Sequence, residues 1–347
     1  MTRLVLERRP DADAEPQPVP GRHVLLHRWR PVLVILATAA LVVGVHAVNF
    51  LGYPYIESDE GTYVSQAWAV LAEGRLAPYT YFYDHAPGGW LQIAAWFALT
   101  GGANGALGDA LVSARVLMLL VQGVTTVLIV LIGRRVTGSL WAGVVAALLA
   151  GLSPYGFPYQ RRVLLDNLVL PWMLGAFLVL LRRRLRLSSI WWSAAMLGVA
   201  FWTKEIAVVA VPAAFVLAIR RAPRHSRLFA AIGWPVLFGS IVSVYPLMAI
   251  LKGELLPEGW LLGGTRPHVS LVCSLQWQSA RGQDGGILGA GSAFWQQTTS
   301  WASLDPILVI GGTAAMVASA LDVFGEHARR HRRGGGCELR WSHGGPR

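Results

Sequence analysis

The stretch "ALVSARVLMLLVQGVTTVLIVLIGRR", Ala110 to Arg135, decides what kind of molecule this chain encodes. From Ala110 to Gly133 it is apolar for long enough to cross about 30 Å of hydrocarbon at roughly 1.5 Å per residue, and it ends on paired arginines that mark the cytoplasmic side. Three further runs reach that length: Val32 to Leu51, Phe229 to Leu251 and Pro306 to Phe324. Shorter candidates are Leu140 to Leu152, Leu164 to Leu181, and Ile190 to Ile219, which Lys204 and Glu205 interrupt. The composition agrees. Of 347 residues, 54% are hydrophobic and 14% charged, whereas a soluble domain carries about 25% charge. The expectation is an all-α polytopic membrane protein with about eight transmembrane helices.

The formal net charge of +11 does not point to nucleic acid. The arginines sit in short clusters at the ends of apolar runs, with no zinc-finger spacing or aromatic RNA-binding signature, so the implied partner is membrane lipid. The first 29 residues are rich in Arg, Asp and Pro and read as a disordered cytoplasmic tail. Residues 30–325 form the membrane domain, and residues 326–347 a basic cytoplasmic tail.

With the N-terminus inside, the first span exits near Tyr53, and the second re-enters before Arg134 and Arg135. Residues 52–109 are then an outer loop, although they contain "GGWLQIAAWFALT", Gly88 to Thr100. That segment rises only about 20 Å, too little to span comfortably. Trp90, Ile93, Ala94 and Phe97 recur at helical spacing, as do Val64, Ala67, Trp68 and Leu71, which predicts two interfacial helices. Arg182–Arg186 and Arg220–Arg221 both belong inside, so Ile190 to Ile219 reads as two short helices turning near Lys204. A second outer loop covers 252–305. Cys273 and Cys337 fall on opposite sides, which excludes a disulfide framework. The Lys and Arg left outside are Arg75, Arg115, Arg161, Arg162, Lys204, Lys252, Arg266 and Arg281.

Charge clusters therefore gather on the outer side at predicted helix ends: Asp59–Glu60, Asp84–His85, Arg161–Arg162 with Asp166, and Lys204–Glu205. Ionisable groups at membrane depth are costly unless paired or on a watery cavity, so their convergence suggests a site for an anionic head group. Each has a plainer reading. Acids can cap a solvated helix N-terminus, arginines can snorkel to head groups, and Lys204–Glu205 can be an exposed ion pair. "GQDGGILGAG", 282–291, lacks the strand–helix context of a phosphate-binding fingerprint.

Four motifs, "SDEGTY" at 58–63, "YDHAPGGWLQIA" at 83–94, "RRVLLD" at 161–166 and "GVAFWTKE" at 198–205, follow in an order and spacing that resemble the GT-C superfamily of membrane glycosyltransferases. The resemblance is to the dolichyl-phosphate-mannose protein mannosyltransferase and lipid A aminoarabinose transferase group. Ala86–Pro87 stands where relatives often have Pro–Pro, and His85 where they often have Lys. Relatives also usually carry further spans, so a C-terminally truncated member is the expectation.

The resemblance implies an inverting transferase that moves a sugar from a polyprenyl-phosphate carrier to a glycan, lipid or protein acceptor on the external face of the plasma membrane. No cofactor beyond the lipid-linked donor, and no metal, is implied. It implies Asp59 as the base, with Glu60 beside it in the catalytic pair. Arg161 becomes the leading donor-phosphate ligand through its planar fork of donors, with Lys204 and His85 secondary. Asp84 and Asp166 would orient these cations, Asp166 by holding Arg161 or Arg162; Tyr63, Trp68 and Trp90 would line the sugar or the isoprenoid. A transporter or flippase would instead show two similar halves, and no internal repeat is evident. A non-catalytic relative is the other competing reading.

The topology makes a direct expectation. With both native cysteines removed, single cysteines at Thr80 and Gln160 should react with an impermeant thiol reagent in intact cells, and those at Arg135 and Arg184 should not. Labelling at Arg135 from outside would show that Gly88 to Thr100 crosses the membrane.

Overall fold

The computed structural model describes residues 22–76, 83–101, 108–260, 269–280, 289 and 291–318. Most of the two tails, Arg266, His268, Arg281, Cys337 and most of the Gly-rich segment lie outside the described residues. Every regular element within them is a helix: α1 (Arg22–Ala47), α2 (Ser58–Glu73), α3 (Gly88–Thr100), α4 (Ala110–Thr137), α5 (Leu140–Gly151), α6 (Gly156–Arg161), α7 (Leu165–Leu180), α8 (Leu187–Thr203), α9 (Val211–Arg221), α10 (Arg227–Lys252), α11 (Leu271–Ala280) and α12 (Ala293–Leu304).

This is an all-α integral membrane protein. Trp29–Ala47, Ala110–Thr137 and Arg224–Lys252 are each long and apolar enough to cross a bilayer. A fourth candidate, Ala293–Leu304 with Ile307–Ala318, has the length only as a pair bent by 114°. Asp305 sits at the break, where its carboxylate accepts from Leu308 N (2.9 Å) and from the Ser153 hydroxyl. The expected span from Pro306 is thus described only to Ala318. Leu140–Gly151 and Leu165–Leu180 are shorter apolar helices.

Local sequence explains the elements. Asp109 caps α4 by accepting from Val112 N at 2.8 Å, and Gly138 ends it in the left-handed region at φ 77°. Ser139 then caps α5, so α4 and α5 form a tight hairpin. Their crossing depends on small residues: a Cβ at Gly143 would stand 2.3 Å from Val130 O. α8 ends at Thr203, Lys204 is extended (φ −161°), and a 3-10 turn, Glu205–Ala210, leads into α9. Trp234 Nε1 donates to Ser193 Oγ at 2.8 Å and fixes α10 against α8.

On α3 the buried side chains are Trp90, Ile93, Ala94 and Phe97, the stripe that the sequence spacing marks. On α2 the stripe is displaced. Tyr63, Val64 and Ala67 are buried, but Trp68 and Leu71 are 45% and 43% exposed. The cause is Glu60, one turn before Val64, which is wholly buried and turns the helix about its axis.

Glu60 receives Arg115 in a fork: Nη2 to Oε1 at 2.8 Å and Nε to Oε2 at 3.0 Å. Val163 N (2.9 Å) and Glu57 N (3.3 Å) also donate to it. Arg115 spends its remaining donors on the carbonyls of Phe50 (2.9 Å), Leu51 (3.4 Å) and Pro54 (3.2 Å). The pair is buried on both sides, at 1% and 0% side-chain exposure. Removing one member strands the other charge, a loss of about 3–5 kcal/mol. Arg115→Ala should therefore sharply lower the thermal midpoint of the detergent-solubilised protein, with Arg115→Lys intermediate because it keeps charge without the fork. An unchanged midpoint would remove the pair from the structural account.

Candidate active site

The site forms where α2, α3, α7 and α8 end together. Tyr83 sits in the left-handed region at φ 55°, uncommon for an aromatic residue. It is buried, its hydroxyl donates to Glu254, and its carbonyl accepts from Tyr245 Oη at 3.2 Å. That turn sets Asp84 and His85 ahead of α3.

The two glycines of "APGGW" let α3 begin directly on the end of α8. A Cβ at Gly88 would stand 2.6 Å from Trp202 O, and one at Gly89 would stand 2.5 Å from Leu165 Cδ2. Gln92 completes the join: its Nε2 donates to Thr203 Oγ1 at 2.7 Å while its Oε1 accepts from Trp172 Nε1 at 2.9 Å. Glu205, just past α8, then reaches back. It accepts from Ala86 N and lies 3.0 Å from His85 Nδ1. Its neighbour Lys204 takes the other direction and pairs with Asp166 of α7 at 2.6 Å.

Tyr63, on α2, faces this junction at 5% exposure, with its ring 6.2 Å from that of His85. Burial, followed by the charges of Asp59, Asp84, Asp166 and Glu205, holds its phenol well above the ordinary tyrosine range. One phenol thus senses carboxylates from all four elements. Asp59 and Asp166 are exposed, while His85 and Lys204 keep 13% and 21% side-chain exposure. Among the described residues Asp59 enters no ion pair, unlike Glu57, Glu60, Asp166 and Glu205. Asp84 accepts from Gln278 Nε2 and borders a cavity of about 390 Å³ lined by Val269, Cys273, Ser274 and Trp277.

Several residues stand elsewhere than the sequence suggests. Arg161 is 3% exposed and donates to Val45 O (2.8 Å) and Tyr53 O (3.2 Å), with its guanidinium 3.9 Å from the Phe157 ring. It serves the end of α1, whose last carbonyls need donors and favour a cation. Arg162 is the more accessible of the two, paired to Glu57 at 2.6 Å. Asp166 holds Lys204, and neither of these arginines. Glu60 is consumed by Arg115 and two backbone amides, which leaves it an anchor with no exposed oxygen for proton transfer. Trp90 is 1% exposed in the core and Trp68 is half-exposed, whereas Tyr63 faces the charged cluster.

Glu205, Arg115 and Gln92 carry more of the geometry than sequence reasoning assigns them. Arg115 had a signal, as the charge within a spanning run, and Gln92 as the polar residue inside an apolar stripe. Among the described residues, no group of three or more His, Cys, Asp or Glu could hold a metal ion.

The model of the dolichyl-phosphate-mannose-protein mannosyltransferase family matches residues 84–251. Among solved structures, the S. cerevisiae protein O-mannosyltransferase Pmt1-Pmt2 complex bound to the sugar donor matches with a TM-score of 0.50 at 15% identity, over 64% of this chain and 34% of that one. The chain has the GT-C fold. It spans about a third of the length of the yeast chain, and no curated protein matches it. In GT-C terms, the matched region holds Asp84, His85, Asp166, Lys204 and Glu205, whereas Asp59 and Tyr63 precede it.

The raised Tyr63 phenol can be read in solution. The phenolate absorbance lost in Tyr63→Phe should develop only above the ordinary tyrosine range. Because the carboxylates disfavour a second negative charge, Asp59→Asn should bring that ionisation down. Titration of Tyr63 together with the exposed tyrosines would show that the four acids do not surround it.

Proposed function

We propose that the protein transfers a sugar from a polyprenyl-phosphate carrier to an acceptor hydroxyl at the outer face of the cell membrane, with its N-terminus inside, and inverts the anomeric carbon. The observation that carries this reading is the exposed carboxylate of Asp59, without an ion pair among the described residues, beside the cross-paired Glu57, Asp166 and Glu205. The GT-C fold and the mannosyltransferase family match supply the reaction class.

In a single displacement, Asp59 takes the proton of the acceptor hydroxyl as its oxygen attacks the anomeric carbon. The bond between that carbon and the carrier oxygen breaks, and the polyprenyl phosphate leaves with the electron pair. Developing charge on the phosphate needs fixed cations. Lys204 and Arg162 fill this part in place of Arg161, since both are partly exposed and held ready by carboxylates. Glu205 holds His85 through Nδ1, leaving Nε2 for the ligand. Asp84 borders the 390 Å³ cavity and orients the acceptor there. The scheme uses no cofactor beyond the lipid-linked donor, and the acceptor is a glycan, lipid or protein.

Radiolabelled transfer from polyprenyl-phosphate sugars, measured as initial rate at saturating donor, tests this. Asp59→Asn should lower the rate by roughly 10²-fold or more while donor binding persists. Lys204→Ala should weaken donor binding more than Arg161→Ala, whose cost should appear in protein yield. A near-wild-type rate in Asp59→Asn would leave the carboxylate as a helix cap and send the search for a base to Asp84 or Asp166.

A further inference from the structure

At the far end of α4 from Arg115 the chain builds a second charged place, of opposite character. Arg134, Arg135, Arg182 and Arg183 line a cavity of about 700 Å³, with Leu131 and Leu181 among its apolar walls. Arg135 lies twenty residues beyond Arg115 on one helix, about 30 Å along its axis, which is the thickness of a bilayer's hydrocarbon core.

The arginines are braced and crowded. Arg135 Nη1 donates to Leu178 O at 3.1 Å, and Arg221 Nη2 donates to Arg182 O at 2.9 Å, which ties α4, α7, the turn after α7 and α9 around the space. Arg182 and Arg221 are near enough to repel Arg135. Nothing in these helices offsets that charge. From Ala110 to Gly253 the only acids are Asp166 and Glu205, and both belong to the cluster at the other end. No described carboxylate forms an ion pair with any of the four lining arginines.

We infer that this cavity binds the phosphate of an anionic lipid head group from the leaflet opposite the carboxylate cluster. Guanidinium forks match phosphate oxygens in geometry and stay charged at any working pH. Basic pockets between helices at the membrane surface recognise such head groups. A space of about 700 Å³ with leucine in its wall is far larger than one inorganic phosphate, and it suits a head group with the start of its glycerol or acyl chains. The inference does not depend on the sugar-transfer reading, since none of these residues touches that site.

The ordinary preference for arginine on the inner side would place positive charge here without a binding site. Paired substitutions separate the two. The full chain, purified in detergent, is titrated with phosphatidylglycerol, phosphatidylcholine or inorganic phosphate and bound lipid is counted by native mass spectrometry. One phosphatidylglycerol per chain should be retained, about tenfold more tightly than phosphatidylcholine, a difference of roughly 1.4 kcal/mol. Arg135→Gln with Arg182→Gln should remove that preference. Arg184→Gln with Arg224→Gln, which takes the same charge from the same end outside the cavity, should keep it.

Should the first pair fail to insert, Arg135→Lys with Arg182→Lys retains the charge and loses only the forks, and it should bind phosphatidylglycerol measurably more weakly. Equal losses from the two glutamine pairs, no preference between the lipids, or undiminished binding in the lysine pair would overturn the proposal. Inorganic phosphate occupying the cavity as readily as phosphatidylglycerol would overturn the lipid source in favour of a soluble anion.

Discussion

The buried fork between Glu60 and Arg115 is the constraint on which the site end of the molecule depends. Through one carboxylate and one guanidinium it joins the segment after α1, the first turn of α2, the body of α4 and the backbone before α7. Such a pair adds little net stability over well-packed apolar residues, because desolvating two ions offsets their attraction. Its consequence is selectivity among arrangements. Any packing that separates the two leaves a bare charge in the interior, so only one docking of α2 on α4 is tolerable. Asp59 immediately precedes Glu60 in the chain, about 3.8 Å away between Cα atoms, and its position follows from that docking.

A second constraint acts across the site. Lys204 and Glu205 are adjacent and opposite in charge, yet they do not neutralise each other. Lys204 has extended backbone, at φ −161° and ψ 135°, and side chains in extended chain point alternately to opposite sides. The lysine therefore goes to Asp166 on α7, and the glutamate to His85 and Ala86 before α3. A dipeptide that looks like a local ion pair works as a cross-brace between two helices. The glycines at 88 and 89 make it possible, since side chains there would hold α3 away from Trp202 and Leu165.

What was legible in the sequence follows from this distinction between local and distant causes. The length of α4, the turn at Lys204 and the buried stripe of α3 are set by hydropathy, flanking arginines and helical period, all local quantities. The gathering of four charge-bearing motifs at one end was also legible, because apolar runs of known length fix which ends lie together. Which charge meets which was not. Arg161 and Arg162 are neighbours of the same type, and only the end of α6 decides that one turns inward to the carbonyls of α1 and the other outward to Glu57. Likewise the apolar face of α2 reads as Val64, Ala67, Trp68 and Leu71 until a buried Glu60 rotates it.

The two ends of the bundle then differ in how their charge is treated. At the Asp59 end four acids are held by cations: Glu60 by Arg115, Glu57 by Arg162, Asp166 by Lys204 and Glu205 by His85. Cross-pairing lets several ionisable groups sit at a membrane surface at tolerable cost, and it makes the exposed Asp59, outside these pairs, chemically conspicuous. At the other end stand ten arginines, Arg134, Arg135, Arg182, Arg183, Arg184, Arg186, Arg220, Arg221, Arg224 and Arg227, while the two acids of that stretch, Asp166 and Glu205, lie at the Asp59 end. Charge of one sign orients a chain in the membrane by its sum, whereas a reactive site needs particular pairs at particular distances. A sequence that cross-pairs particular acids with cations at one end, and leaves the arginines of the other without a carboxylate partner among the described residues, satisfies both demands without letting either disturb the other.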